Sequence, residues 1–297
     1  MCQGNAIHVV GNDSVLEAWF LPVLAFVICC RVDDMPARKM RQSFGKNEVP
    51  KLEFGNQEPE CKIAPQEMKR YLITGASRGI GRAIATKLAS LDVMLLLHGR
   101  DTTALAETCR TVEKSGGKTA KLIHDLANFR GIDDLVAEVG HKPIDLLVNN
   151  AGIAVVKPFA EITRQEWEQT IGVNVTAPFF LIQHFAPRMP PGSSIVNILS
   201  IAAKTAYPSW SAYCGSKFAM EGLSTAIREE LRSRKVRMLN IYPAATDTDI
   251  WNAVTGEWPR EQMMSAVDVA DAVAFAINQP PAVIIENITL SNTTGTL

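Results

Sequence analysis

From residue 68 to Leu297, short apolar runs alternate with stretches of helical spacing, and that alternation leaves few folds open to the chain. The strand candidates are 70–74, 93–98, 118–124, 144–149, 194–199, 236–241 and 283–290. Between them, amphipathic spacing predicts helices such as Ile80 to Ala89, Ala104 to Lys114, Arg130 to Val139, Arg164 to Phe185 and Ala212 to Arg234. Strands separated by helices run parallel and are joined by right-handed crossovers, with helices on both faces of the sheet. The expected class is α/β, a single doubly wound domain whose ligand lies beyond the carboxyl ends of the strands.

Composition narrows the partners. With 47% hydrophobic and 21% charged residues the chain can bury a sizeable core, which excludes wholesale disorder. Thirty Lys and Arg against 31 Asp and Glu give a net charge of -1, so neither nucleic acid nor an anionic membrane is an expected partner. The six cysteines, at 2, 29, 30, 61, 109 and 214, form no CxxC pair and no zinc spacing. His98, His124, His141 and His184 are scattered without ligand spacing, so no metal is expected.

Residues 1 to 67 differ in texture. They hold four of the six cysteines and an apolar run from Val15 to Cys30, interrupted by Glu17 and Pro22. That run is shorter than the roughly 20 residues a membrane span needs. No Lys or Arg precedes it, as a signal peptide would require, although Arg31, Arg38, Lys39 and Arg41 after it would suit an anchor with a cytoplasmic catalytic part. Pro36, Pro50, Pro59 and Pro65 then mark a linker without sustained period. The reading is an unstructured or weakly ordered extension, with Met68 as the expected true start of a cytoplasmic protein, because Met-Lys-Arg-Tyr-Leu-Ile-Thr-Gly opens a strand directly.

The first strand runs into Thr74-Gly75-Ala76-Ser77-Arg78-Gly79-Ile80-Gly81, a glycine-rich turn between strand and helix. Glycines there let the backbone approach a pyrophosphate, which the free N–H groups and dipole of the helix N-terminus can bind. The spacing is G-x-x-x-G-x-G, and Asn149-Asn150-Ala151-Gly152 ends the fourth strand. With Asp125 after the third strand, Asn174 in the long helix, Ser200 after the fifth strand and Tyr213-x-x-x-Lys217, the chain resembles the short-chain dehydrogenase/reductase family over essentially all of residues 69 to 297. The resemblance implies a Rossmann-like, nicotinamide-dependent oxidoreductase that converts a carbonyl to a secondary alcohol or the reverse.

Hydride transfer to a carbonyl leaves an alkoxide that must be stabilised and protonated in place. Tyr, with a reference pKa of about 10, needs that value lowered to act as a base in the reverse direction. Lys217 lies one helical turn after Tyr213 on the same face, where its ammonium favours the phenolate. The family further implies that Lys217 bonds the nicotinamide ribose, that Ser200 holds the substrate oxygen, and that Asn174 supports a water-mediated proton relay.

Cofactor choice turns on Leu97-His98-Gly99-Arg100, the end of the second strand, which carries no acid before Asp101. An acid there would bond the adenosine ribose and repel a 2′-phosphate. Arg100 and Arg78 instead offer two guanidinium groups suited to phosphate, so NADP(H) is the expected cofactor. After the sixth strand, where the family has Pro-Gly and then a Thr that touches the nicotinamide carboxamide, the chain keeps Pro243 and Thr248 but has Ala244 in place of the Gly. That replacement is expected to alter the loop slightly.

Asp249 to Met264, with Trp251, Trp258 and Met263, falls where the family carries its substrate lid; it reads either as a hydrophobic pocket wall or as a surface helix packed on the core. The apolar content of the helices at 164–185 and 212–234, paired across a two-fold axis in relatives, implies a homodimer or homotetramer. Two alternatives remain. One is a 3-oxoacyl-carrier-protein reductase, whose acidic carrier would meet Arg188, Arg228, Arg232, Arg234 and Lys235. The other is a nucleotide-sensing scaffold, which typically loses the Tyr or Lys kept here.

Overall fold

The computed structural model describes residues 68–254, 256–293 and 295; the expectations about residues 1–67 lie outside them. Seven strands, β1 (Lys69–Ile73), β2 (Val93–Gly99), β3 (Lys118–Ile123), β4 (Leu146–Asn149), β5 (Ser194–Ile198), β6 (Arg237–Pro243) and β7 (Asn287–Leu290), form one parallel sheet in the order β3-β2-β1-β4-β5-β6-β7. The order reverses between β1 and β4. There the first crossovers leave to opposite sides and open a crevice at the carboxyl ends of the strands.

The strands alternate strictly between two cores, as period-2 geometry requires of a sheet covered on both faces. Leu72, Leu96, Leu147, Ile195 and Met238 face one core. It is closed by α3 (Phe129–Val139), α5 (Ala177–Phe185) and α6 (Ser211–Leu231) through Ile132, Leu135, Leu181, Phe185, Met220 and Leu231. Ile73, Leu95, Leu97, Val148, Val196 and Leu239 face the other, closed by α1 (Gly79–Lys87), α2 (Thr102–Lys114) and α7 (Ala266–Ile277) through Ile84, Leu105, Val112, Val269 and Val273. Truncating any of the fully buried leucines, Leu72 for example, removes about 2–5 kcal/mol of stability.

The helix expected over 164–185 is not continuous. Its first part, α4 (Arg164–Ile171), passes into a π-helical turn at Gly172–Thr176 before α5 begins. Such bulges are rare inside helices and recur at functional sites; this one contains Asn174. The helix expected over 212–234 ends as α-helix at Leu231 and tightens into a 3-10 turn at Arg232–Arg234. The last strand covers only Asn287–Leu290 of the expected 283–290. Among the described residues no helix is long and apolar enough to cross a membrane.

Candidate active site

The glycine-rich turn is tied to the end of β4 by Thr74 and Asn150. Thr74 Oγ1 donates to the Val148 carbonyl (3.1 Å) and accepts from the backbone N–H groups of Asn150 (3.0 Å) and Ala151 (3.1 Å). Asn150 Nδ2 donates to the carbonyls of Thr74 (2.9 Å) and Gly75 (3.0 Å). No side chain fits at the glycines of this seam. Gly75 sits at φ +66, and a Cβ on it would lie 2.8 Å from Ala151 Cα; one on Gly81 would lie 2.2 Å from the Gly75 carbonyl oxygen.

The side chains of Asp101, Asn128, Thr163 and Ser265 cap the N-termini of α2, α3, α4 and α7. That of Arg78, at the N-cap of α1, does not. The first N–H groups of α1 therefore have no side-chain acceptor beside the bare glycine turn, as an anion-binding helix end requires. Two buried polar atoms at this edge, Ser77 Oγ and Asn149 Oδ1, have no protein partner. A buried polar group without a partner is costly, so the pair fits a site built to receive a polar ligand.

His98, which has no metal-ligand spacing, holds the turn through hydrogen bonds instead. Its ring is 2% exposed. Nδ1 accepts from the Gly75 N–H (3.4 Å), and Nε2 lies 3.0 Å from the His124 carbonyl, so the ring is the neutral Nε2–H tautomer. Burial depresses its pKa to about 4. The one available signal was position: His98 stands at the carboxyl end of β2, where this fold places its ligand. At its neighbour Gly99 an added Cβ would meet Ser77 Oγ at 2.0 Å, so a larger residue there would force the Ser77 hydroxyl to turn away.

Arg78 and Arg100 are solvated, with side chains 64% and 62% exposed, and each faces an acid: Arg78 Nε is 3.9 Å from Asp249, and Arg100 is 3.7 Å from Asp125. Asp125 also accepts from the Ala127 N–H (3.1 Å) at the end of β3. Thr248 lies against Gly79, whose added Cβ would be 3.1 Å from its side chain, so the loop after β6 reaches the glycine-rich turn. Ala244 has no positive φ, and its N–H donates to the Leu290 carbonyl (2.8 Å). The expected disturbance from losing the Gly is absent, because this position does not need left-handed backbone.

Ser200, Tyr213, Lys217 and Asn174 converge at the ends of β4 and β5. Ser200 caps the 3-10 turn Ile201–Ala203, with Oγ accepting from the Ala202 N–H (3.1 Å). Tyr213 lies in the first turn of α6. Burial pushes its phenol up to about 12, while a hydrogen bond from Ser200 acts in the opposite direction. Lys217 is 6% exposed, donates to the Ile198 carbonyl (2.9 Å), and has Nζ 5.6 Å from the Tyr213 ring centre. Burial lowers its pKa to about 8. Desolvation is the largest influence on the phenol, so Tyr213 is neutral, as a proton donor requires.

Asn174, in the π-helical turn, is engaged through both ends of its amide. Oδ1 accepts from the Ile153 N–H (2.9 Å), and Nδ2 donates to the Ile153 carbonyl (2.9 Å) and to Ser216 Oγ (2.9 Å). Ser216 donates in turn to the Tyr213 carbonyl (2.7 Å). Asn174 therefore locks the chain after Gly152 to the first turn of α6. A further buried row, Asn149 Nδ2 to Asn197 Oδ1 (2.9 Å) and Asn197 Nδ2 to Asn240 Oδ1 (3.1 Å), crosses three adjacent strands in register. Nothing in the sequence singles out Asn197 or Asn240, whose partners in this row lie 43 or more positions away.

Beyond Ser200 and Tyr213 opens a cavity of about 340 Å³. Trp251 and Trp258 line it, which decides between the two readings of the 249–264 segment in favour of a pocket wall; Met263 instead packs in the interior. Trp210, not singled out on sequence, stands between them and Tyr213: its ring centre is 5.6 Å from Tyr213, 6.0 Å from Trp251 and 6.2 Å from Trp258.

The family profile named short chain dehydrogenase matches residues 69–258. The chain belongs to the short-chain dehydrogenase family. A sepiapterin reductase of Chlorobaculum tepidum is 32% identical over 237 residues, covering 75% of this chain and 96% of that protein. A D-erythrulose reductase of Gallus gallus is 30% identical, over 72% of this chain and 90% of its own. Among solved structures, a metagenomic short-chain oxidoreductase in complex with NADP superposes with a TM-score of 0.66 at 32% identity, covering 76% of this chain and 98% of that one. An angucycline C-6 ketoreductase with bound NADP gives 0.68 at 30% identity, over 74% and 93%. This short-chain dehydrogenase is accordingly an oxidoreductase acting on the CH-OH group or its carbonyl, with the Rossmann-like fold the alternation predicts.

Proposed function

We propose that the chain is an NADP(H)-dependent carbonyl reductase, or the corresponding alcohol dehydrogenase, whose chemistry rests on Ser200, Tyr213, Lys217 and Asn174. The observation that carries the proposal is the half-buried Tyr213, its phenol kept neutral by desolvation, beside Ser200 and one turn from Lys217 at the wall of a cavity of about 340 Å³. NADP(H) as the cofactor is supported by solved relatives that hold NADP and by two arginines, Arg78 and Arg100, at the rim expected to meet a 2′-phosphate. When bound, it supplies the hydride for reduction or accepts it for oxidation.

The residues divide the remaining work. The glycine-rich turn and the N-terminus of α1 receive the diphosphate, with Ser77 Oγ and Asn149 Oδ1 as polar partners in reserve. Ser200 donates to the carbonyl oxygen, and Tyr213 gives its proton to the alkoxide as that charge develops. Lys217 favours the resulting phenolate and reaches the nicotinamide ribose. Asn174 keeps the two catalytic segments in register through Ile153 and Ser216 and supports the proton relay. The neutral phenol favours the reductive direction, in which the Tyr starts protonated.

Replacing Tyr213 with Phe keeps the ring and removes the proton donor. Turnover is expected to fall by roughly two to four orders of magnitude with NADPH binding retained; near-normal reduction by this variant removes Tyr213 from the mechanism. The acyl-carrier-protein reading is less well supported. Arg228, which donates to the Met238 carbonyl and faces Glu286, stands 15 residues along α6 from Tyr213, or about 22 Å. Arg232 and Arg234 lie further along and are engaged within the chain. The scaffold reading has no support in a chain that retains all four site residues. Partially exposed apolar side chains such as Trp167 and Phe218 support pairing of α4 to α6 with a second copy, in a cytoplasmic homodimer or homotetramer. A monomer by light scattering at micromolar concentration overturns the assembly.

A further inference from the structure

The cavity beside Tyr213 has no charged wall. None of its lining residues is Asp, Glu, Lys, Arg or His, and three of the chain's five tryptophans border it. We propose that the substrate is a neutral ketone, or the matching alcohol, whose reacting carbon is borne on or beside a ring that packs among Trp210, Trp251 and Trp258. The inference rests on the reductase reading and adds the class of compound reduced.

Size sets the first limit. An apolar cavity of about 150 Å³ takes one benzene, so about 340 Å³ takes two ring-sized bodies. The lining includes Ile80, Pro243 and Thr248, positions expected around the nicotinamide, as well as the three tryptophans. That leaves room for one ring of the substrate, with the open mouth of the cavity free for a second.

The wall is held rather than loosely draped. Trp251 Nε1 donates to the Thr246 carbonyl (2.9 Å), and the Trp251 and Trp258 rings lie 4.8 Å apart. Trp210 follows Ser209, a non-glycine residue at φ +67 whose carbonyl accepts from the Lys157 N–H (2.9 Å). Left-handed backbone at a serine is disfavoured and persists where the surroundings impose it, commonly at functional sites. The chain thus turns sharply to deliver Trp210 beside Tyr213.

Polarity sets the second limit. A carboxylate in this wall meets no cation, and an unpaired buried charge is strongly disfavoured. Hydroxyl groups find few partners: Thr246 Oγ1 already donates to the Ala244 carbonyl and Trp251 Nε1 to that of Thr246, and of the buried indole N–H groups on this wall only that of Trp258 is without a protein partner. Each substrate hydroxyl left without a partner costs roughly tenfold in affinity. Enclosing a ring of phenyl size gains about ten- to a hundredfold.

The test compares four ketones with the full chain and NADPH, with NADH in parallel. Acetophenone and phenylglyoxylate share ring and ketone but differ by methyl against carboxylate; 1-tetralone adds a second ring; erythrulose has the ketone with hydroxyls and no ring. Acetophenone and 1-tetralone are expected to have kcat/KM at least a hundredfold above phenylglyoxylate and erythrulose. Trp210→Ala should lower the aryl ketones about tenfold or more, with recovery in Trp210→Phe. Independently of turnover, both aryl ketones should quench tryptophan emission saturably in Tyr213→Phe. Equal use of phenylglyoxylate or erythrulose, or no saturable quenching by either aryl ketone, overturns the proposal. Quenching by both aryl ketones without reduction of any carbonyl by the wild type upholds the pocket and overturns the reductase reading instead.

Discussion

Replacing His98 with Gln separates a hydrogen-bonding role from a titrating one. The wild-type ring is 2% exposed and accepts from Gly75 N–H through Nδ1 while the opposite nitrogen meets the His124 carbonyl. Gln can make both bonds but cannot be protonated. Burial is the main reason the His98 pKa falls from 6.5 to about 4, with His124 and Arg100 acting in the same direction and Asp125 and the His124 carbonyl opposing it. Because the folded value is depressed, the unfolded chain binds more protons between the two values. The stability tied to the neutral ring is therefore complete above pH 6.5 and is lost as pH falls toward 4. At 1.36 kcal/mol per pH unit, the interval corresponds to about 3 kcal/mol. Urea unfolding of wild type and His98→Gln at pH 7 and pH 4 measures it: the wild type should lose about 3 kcal/mol more than the variant. Losses common to both chains, such as protonation of Glu166, cancel in the difference. Equal acid losses would refute the reasoning by showing that the ring is protonated without cost to the fold.

Gly81→Ala, whose Cβ would fall 2.2 Å from the Gly75 carbonyl oxygen, should cost about 1–3 kcal/mol and abolish the rise in Tm that NADPH gives the wild type; a normal NADPH-dependent rise would show that the seam can open. Arg100→Asp should reduce the wild-type preference for NADPH over NADH, expected to be at least tenfold in kcat/KM. Because the side chain is 62% exposed and screened, the change should be about tenfold rather than a complete switch; a wild type that uses NADH equally well would show that both arginines are only solvated surface charges. Lys217, lowered to about 8 by burial, is charged below that value and neutral above it, so kcat/KM should fall as pH rises through 8. The same burial makes the fold gain stability between about 8 and 10.5, where the unfolded chain binds the extra proton. A pH–rate profile flat to pH 9.5 refutes the assignment.

Short-range patterning determined a great deal. The parallel sheet was legible because its central strands are buried on both faces and read as continuous apolar runs, and because the crossovers carry helical period. The glycine-rich turn and the Tyr213-to-Lys217 spacing were legible because one turn of helix sets their geometry locally. What only the tertiary structure decided involves partners distant in sequence. The π-helical turn that carries Asn174 replaced an expected continuous helix, and its amide bonds reach Ile153 and Ser216. Trp210 became a wall of the pocket through contacts with residues 41 and 48 positions on, Trp251 and Trp258. Nor could spacing give the protonation state of the Tyr213 phenol, which desolvation keeps neutral. The reason is that desolvation depends on everything packed around a group, and no local spacing encodes that burial. His98 shows the same division: its place at the end of β2 was readable, but its role arises only where the sheet brings Gly75 and His124 to its two nitrogens.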